Sequence, residues 1–219
     1  METLVIKRAR LAEKPFDLPE HPEETPLKRL HLLDCDISDD ALFDLMKFPE
    51  ALNEFVMTQS ADPSPDLEES SDNIRYYFIA LEPACHSLET ITIDHPLLRT
   101  SKALLLREFT KLKTLRLNWD HQLFGHSSSK PRLTSVGMPP ELETLEFFNQ
   151  LGTDEEVTDL LVFMIQSLGV AARKLKRLIV VEDEDEGPVP KEIEEACAAQ
   201  EQLELDIIGR MDTVTEVEF

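Results

Sequence analysis

A six-residue pattern constrains this chain more than any other feature: an apolar residue, a second one three places on, and a third after one intervening residue. Written L-x-x-L-x-L, it is clearest at Leu112-Lys-Thr-Leu115-Arg-Leu117. It recurs as Leu88-Glu-Thr-Ile91-Thr-Ile93, Leu142-Glu-Thr-Leu145-Glu-Phe147 and Leu175-Lys-Arg-Leu178-Ile-Val180. Upstream copies are Met1-Glu-Thr-Leu4-Val-Ile6, Leu27-Lys-Arg-Leu30-His-Leu32 and Leu52-Asn-Glu-Phe55-Val-Met57, and a last copy, Gln200-Glu-Gln-Leu203-Glu-Leu205, opens on a polar residue. Successive starts lie 26, 25, 36, 24, 30, 33 and 25 residues apart. Self-similarity at such a period marks a stack of units, none of which can bury its apolar face alone. Each copy reads as a short strand whose alternate residues take opposite faces. Strands alternating with helical runs predict an α/β chain: a right-handed solenoid of about eight irregular repeats, with parallel inner strands and outer helices and loops, in one domain over 1–219.

The connections differ from one repeat to the next. Residues 11–26 hold Pro15, Pro19, Pro22 and Pro26 and read as an extended connector in place of a helix. After Leu27–Leu33, Ser38 is a good N-cap with Asp39 and Asp40 in the first turn; apolar residues follow at 41, 42, 45, 46 and 48, and Pro49 stops the helix. Residues 60–65 read as a loop and 73–81 as a helix. A further helix is expected over 101–111, with Ala103, Leu104, Leu106 and Phe109 inward. Between 122 and 139, Gly125, a serine triplet, Pro131, Gly137 and Pro139 spell a long irregular loop, where binding residues tend to gather. Thr153-Asp-Glu-Glu156 is a capping box opening a helix over 153–174, striped by Val157, Leu160, Leu161, Met164, Ile165 and Leu168. Residues 191–199 form the next helix, Leu203–Ile207 the last strand, and 213–219 alternate as a terminal strand or cap. A strand at Met1–Ile6 leaves one edge and one face to cover. It is capped by the segment after it, or the chain is the C-terminal part of a longer array.

Charge and cysteine usage exclude several functions. The chain carries 22 Lys plus Arg against 44 Asp plus Glu, a net charge of -22. That field repels phosphate backbones, which argues against nucleic acid and favours basic partners. Cys35, Cys85 and Cys197 are odd in number and lack a C-x-x-C, so neither a disulfide framework nor a zinc knuckle is indicated. Reduced thiols in a cytoplasmic or nuclear protein are the simplest account. No apolar run approaches the ~18 residues of a membrane span. His31, His95, His121 and His126 lack H-x-x-x-H or H-E-x-x-H spacing, and no G-x-x-x-x-G-K-[ST], G-x-G-x-x-G or G-x-S-x-G is present. No catalytic residue, metal or cofactor is expected.

The repeat pattern resembles that of leucine-rich repeats. Within it, Gly137-Met-Pro-Pro-Glu-Leu142-Glu-Thr-Leu-Glu-Phe147 is similar to a segment of fungal F-box/leucine-rich-repeat proteins, as is Ile193-Glu-Glu-Ala-Cys197 ahead of a Leu-Glu-Leu strand. The resemblance covers nearly the whole chain. It implies repeats that hold a substrate protein, while a separate F-box docks on the Skp1 adaptor of a cullin ubiquitin ligase. Leu18-Pro19-Glu20 is superficially similar to an F-box start, yet His21-Pro22 and the strand at Leu27 leave no room for the helices of that module. The likeness is to the repeat half.

With the leucines inward, the third, fifth and seventh positions of each strand face the concave side. Arg29, His31, Asp94, Arg116, Asn118, Glu146, Phe148 and Arg177 are the candidate partner-binding residues there, with Trp119 just beyond its strand. Arg116, Trp119 and Phe148 are the preferred anchors, because aromatics and arginine dominate interfaces. For Trp119 the alternative is packing into the core of the turn beneath the 122–139 loop. Glu182–Glu186 reads as a solvated turn. Two functions follow: a non-enzymatic protein-binding scaffold, including substrate recognition for a cullin ligase, or an acidic chaperone-like binder of basic proteins such as histones. Salt separates them, since a field-driven complex loses affinity at high ionic strength.

Overall fold

A computed structural model describes residues 2–11, 25–59, 71–100, 104–119, 138–151, 155–182 and 187–209. The L-x-x-L-x-L copies form β1 (Thr3–Lys7), β3 (Arg29–Leu33), β5 (Glu54–Thr58), β6 (Thr90–Asp94), β7 (Thr114–Leu117), β8 (Thr144–Gln150), β9 (Arg177–Glu182) and β10 (Glu204–Gly209). These eight strands make one parallel sheet whose order follows the chain. Two shorter strands, β2 (Arg10–Leu11) and β4 (Asp36–Ile37), pair separately beyond the turns of the first two repeats. Both turns pass through a left-handed residue at the same repeat position, Arg8 and Asp34, each with φ 54°.

Register is set by the repeat itself. Fourth positions align as Leu4, Leu30, Phe55, Ile91, Leu115, Leu145, Leu178 and Leu205. From Leu30 to Leu178 they are at most 2% exposed. A forked hydrogen bond recurs just ahead of the six strands β3 and β5 to β9. The N–H groups of Lys28 and Arg29 both donate to the Glu2 carbonyl at 2.8 and 3.0 Å, and Asn53 and Glu54 donate to Lys28 O at the same distances. The fork repeats on Asn53 O, Glu89 O, Lys113 O and Glu143 O. The last copy departs from expectation: Leu205, not Leu203, is its fourth position, because Glu204 pairs with Arg177. A slip of two residues keeps every side chain on its original face, so alternation alone does not distinguish the two registers.

Helices lie on the side of the fourth and sixth positions, in one shared core cluster. In α1 (Asp39–Leu45), Ser38 Oγ accepts from the Ala41 N–H, the expected cap. In α2 (Ile74–Ala80), Asn73 does the same for Arg75, and a 3-10 turn, Glu82–Ala84, follows. Tyr77 of α2 is 2% exposed and donates its hydroxyl to Ile37 O at 2.9 Å, tying one repeat to the turn of the last. The remaining helices are α3 (Glu155–Gln166), α4 (Leu168–Ala171) and α5 (Lys191–Ala198).

Two expected helices are corrected. Residues 104–111 form turns, with Leu104, Leu106 and Phe109 buried and Leu105 exposed. Burial of 104 and 106 with 105 outside is an extended spacing; on a helix those two residues would lie on opposite sides. The helix expected over 153–174 breaks at Ser167, ahead of Gly169, a residue that weakens helices. Most of the 11–26 connector, the 60–65 loop, nearly all of 122–139, Thr153–Asp154, most of Glu182–Glu186 and the 213–219 tail fall outside the described residues. No described helix is long and apolar enough to cross a membrane.

Candidate functional site

Alternation places the third and fifth positions together on the face opposite the helices. The third-position row runs Thr3, Arg29, Glu54, Thr90, Thr114, Thr144, Arg177, Glu204 across the sheet; the fifth runs Val5, His31, Val56, Thr92, Arg116, Glu146, Ile179, Asp206. Asp94, Asn118 and Phe148 stand at seventh positions, Phe148 where the β8–β9 register shifts. The expected residues are therefore on one face, with Trp119 the exception described below.

Their charges are matched between neighbouring strands. Arg29 Nε donates to Thr3 Oγ1 at 3.0 Å, and His31 Nε2 lies 2.7 Å from Glu54 Oε1. Arg116 Nε approaches Glu146 Oε2 to 2.9 Å, an ion pair in which the N–H is not aimed at the oxygen. Arg177 donates to Asp206, and that hydrogen bond, more than the charge behind it, raises the guanidinium pKa. Asn118 uses both ends of its amide: Oδ1 accepts from the His95 N–H at 2.6 Å and Nδ2 donates to Asp94 Oδ1 at 3.1 Å. Lys7, Arg29, Arg116 and Arg177 thus stand against Glu54, Asp94, Glu146, Glu204 and Asp206 on these strands, close to balance in a chain of net charge -22. Each of these surface pairs is worth little alone; together they keep charge on the face balanced.

The fifth row is not solvated throughout. His31 is 7% exposed and Thr92 3%; Val56 between them and Ile179, three strands beyond Thr92, are buried too. The row crosses the sheet, and its buried members stand on β3, β5, β6 and β9, each paired with a strand on both sides. His31 Nδ1 and Thr92 Oγ1 are buried without a hydrogen-bond partner. Buried polar atoms are nearly always satisfied; Arg116 Nε of the same row also lacks a hydrogen-bond partner, and Gln150 Oε1 does so outside it.

Trp119 takes the alternative role. It is 9% exposed, and its ring meets Phe147 edge-on, centroids 4.9 Å apart at 78°. Its N–H donates to Asn149 Oδ1, and Asn149 Nδ2 donates to its carbonyl at 3.1 Å. The ring serves the core rather than an exposed anchor. Asn149 was not legible as a functional residue, although it belongs to a series: Thr58 Oγ1 accepts from Asp34 N–H at 3.0 Å, and Gln150 Nε2 donates to Gly187 O at 2.8 Å. In each case a polar residue at a strand end closes the turn of an adjoining repeat.

A second charged stripe runs through the second positions. Lys113 pairs with Glu89 at 2.7 Å and Lys176 with Glu143 at 3.0 Å. The Glu89 hydrogen bond raises the Lys113 pKa, and the Lys176 hydrogen bond lowers that of Glu143. Burial pushes the Cys197 thiol up to about 11 and raises Cys35; burial and the charges of Glu108 and Glu82 raise Cys85. Such thiols are poor nucleophiles at neutral pH. An apolar cavity of about 340 Å³ opens at the first-repeat end, lined by Leu4, Thr25, Pro26, Leu27, Leu30, Leu45 and Phe48. Among the described residues, no group of three or more His, Cys, Asp and Glu converges as metal ligands would. No protein-family model, curated protein or solved structure matches this chain.

Proposed function

We propose that this chain is a leucine-rich-repeat solenoid that binds another protein across the concave strand face, without catalysis. The observation that carries the reading is the alignment of eight strands in chain order and in register. It assembles Thr90, Thr114, Thr144, Arg116, Glu146 and Arg177 into one continuous surface. Repeat proteins use such extended surfaces for recognition. The turn after β3 adds support: Cys35 and Ile37 fall at the ninth and eleventh places of the copy that starts at Leu27, where leucine-rich repeats carry Asn or Cys and then an apolar residue. The buried unsatisfied atoms of the fifth row mark a place where a local rule is broken, as functional sites tend to do. In its sharper form the partner is a substrate delivered to a Skp1–cullin ligase.

The charge of -22 favours a second reading, an acidic chaperone-like binder of basic proteins such as histones. Binding partners captured at low and high salt, with wild type and an Arg116→Glu/Phe148→Asp variant, separate the two. A partner that resists salt and is lost in the variant supports the concave face. Basic proteins released by salt and indifferent to the variant would overturn that reading in favour of the acidic binder.

A further inference from the structure

The outward sides of α1 and α2 form a second surface, independent of the strand face. The two helices are neighbours. On α1, Phe43 is 38% exposed, one turn from the exposed Asp40; on α2, Tyr76 and Ile79, one turn apart, are 50% and 37% exposed. Exposed Asp72 and Glu82 flank that stripe at its two ends. Lys47 lies 4.3 Å over the Phe43 ring but is already paired with Asp44 at 2.7 Å. By contrast, α5 turns Lys191, Glu192, Glu194 and Glu195 outward with no large apolar group among them, as expected of a helix that meets only water. Single exposed apolar residues are ordinary; two aromatics and an isoleucine on adjoining helices, with exposed Asp40, Asp72 and Glu82 close in sequence and Arg75 the one basic residue of α2, are not.

We propose that this α1–α2 stripe docks one basic amphipathic helix of a partner protein. Apolar residues one turn apart on that helix would cover Phe43, Tyr76 and Ile79, and its Lys or Arg residues would meet Asp40, Asp72 and Glu82. Charge complementarity selects this occupant: an acidic or neutral helix would bury the same apolar area while leaving those carboxylates unpaired or opposed.

The test uses the full chain and two synthetic helical peptides with the same leucine stripe, one with lysines on the remaining positions and one with glutamates, followed by calorimetric titration. The lysine peptide is expected to bind and the glutamate peptide not to. The Phe43→Ser/Tyr76→Ser variant, which leaves the net charge unchanged, should weaken binding by about tenfold or more. Ile79→Lys should weaken it as well, providing a second reading if the double variant melts early, whereas Phe163→Ser, an exposed aromatic on α3, should not. Equal affinity of wild type and both α1–α2 variants would mean that the peptide answers only to the overall field, and would overturn the proposal. Equal binding of the two peptides would overturn it too.

Discussion

Strands β3 and β5 are each followed by a helix, whereas the described residues on either side of β7 form turns at 104–111 and around 140–141. The two regions are nonetheless alike where it matters to the sheet. Pairing keeps the same register, the carbonyl forks repeat, and Leu30 and Phe55 are as buried as Leu115 and Leu145. Register and burial in the sheet are therefore the same beside the α1 and α2 helices as beside the described turns. Any segment that delivers apolar volume to the backs of the strands will serve. In the turn-backed region Leu104, Leu106 and Phe109 deliver it, and Phe109 meets Phe78 of α2 edge-on with centroids 5.8 Å apart.

The comparison breaks most directly at the core. Leu115→Ala should cost about 2–5 kcal/mol by urea denaturation, in the same range as Leu30→Ala. A cost below about 1 kcal/mol for Leu115 alone would show that the turn-backed region is loosely packed. Next in size is Asn149→Ala, which leaves the Trp119 N–H and carbonyl without their partner and should cost about 1–3 kcal/mol. Trp119 is the only tryptophan, so its emission should shift to the red in the same variant. Thr58→Ala, which removes one acceptor from the Asp34 N–H, should cost less.

Thr92→Val runs the other way. It replaces a buried, unsatisfied hydroxyl by a methyl of similar shape and should be neutral or stabilising by up to about 1 kcal/mol. Ser87→Ala, which loses a 2.8 Å hydrogen bond to Leu52 O, should destabilise instead. A Thr92→Val protein that gains stability but loses its partner would tie the unsatisfied row to binding.

The smallest effect belongs to the exposed second-position stripe. Glu143 is held below the usual carboxylate range, so its contribution is present above the unfolded pKa and lost as pH falls through the folded one. Lys113 is raised by Glu89, so its contribution is present below the usual lysine pKa and lost as pH rises through the folded value. Glu143→Gln should lower the melting temperature slightly near neutral pH, and high salt should erase the difference.

Much of this was legible in the residues, for identifiable reasons. Strand alternation and the Ser38 cap are local rules, and both hold in the structure. Period two also gathers Arg116, Glu146 and Arg177 onto one face without any coordinates. What was not legible depends on contacts between repeats. Whether Arg116 meets Glu146, or Asn149 closes the Trp119 turn, is decided by register across strands 30 residues apart in sequence. The fate of Trp119 turned on that same contact. The last strand was misplaced because Leu203, Leu205 and Ile207 alternate equally well in either register. The helix expected at 101–111 failed over 104–111, its leucine spacing there fitting an extended segment as well as a helix, while 101–103, with Ala103, lie outside the described residues.

Hydrogen exchange followed by mass spectrometry on peptides spanning 112–118 and 28–33 tests the strand-led fold most directly. If the repeat sets the sheet, β7, which follows the 104–111 turns, should be protected as long as β3, which precedes α1, with the amides of Thr114 to Leu117 among the last to exchange. Fast exchange of 112–118 while 28–33 stays protected would contradict it, and would mean that the outer helices hold the sheet together.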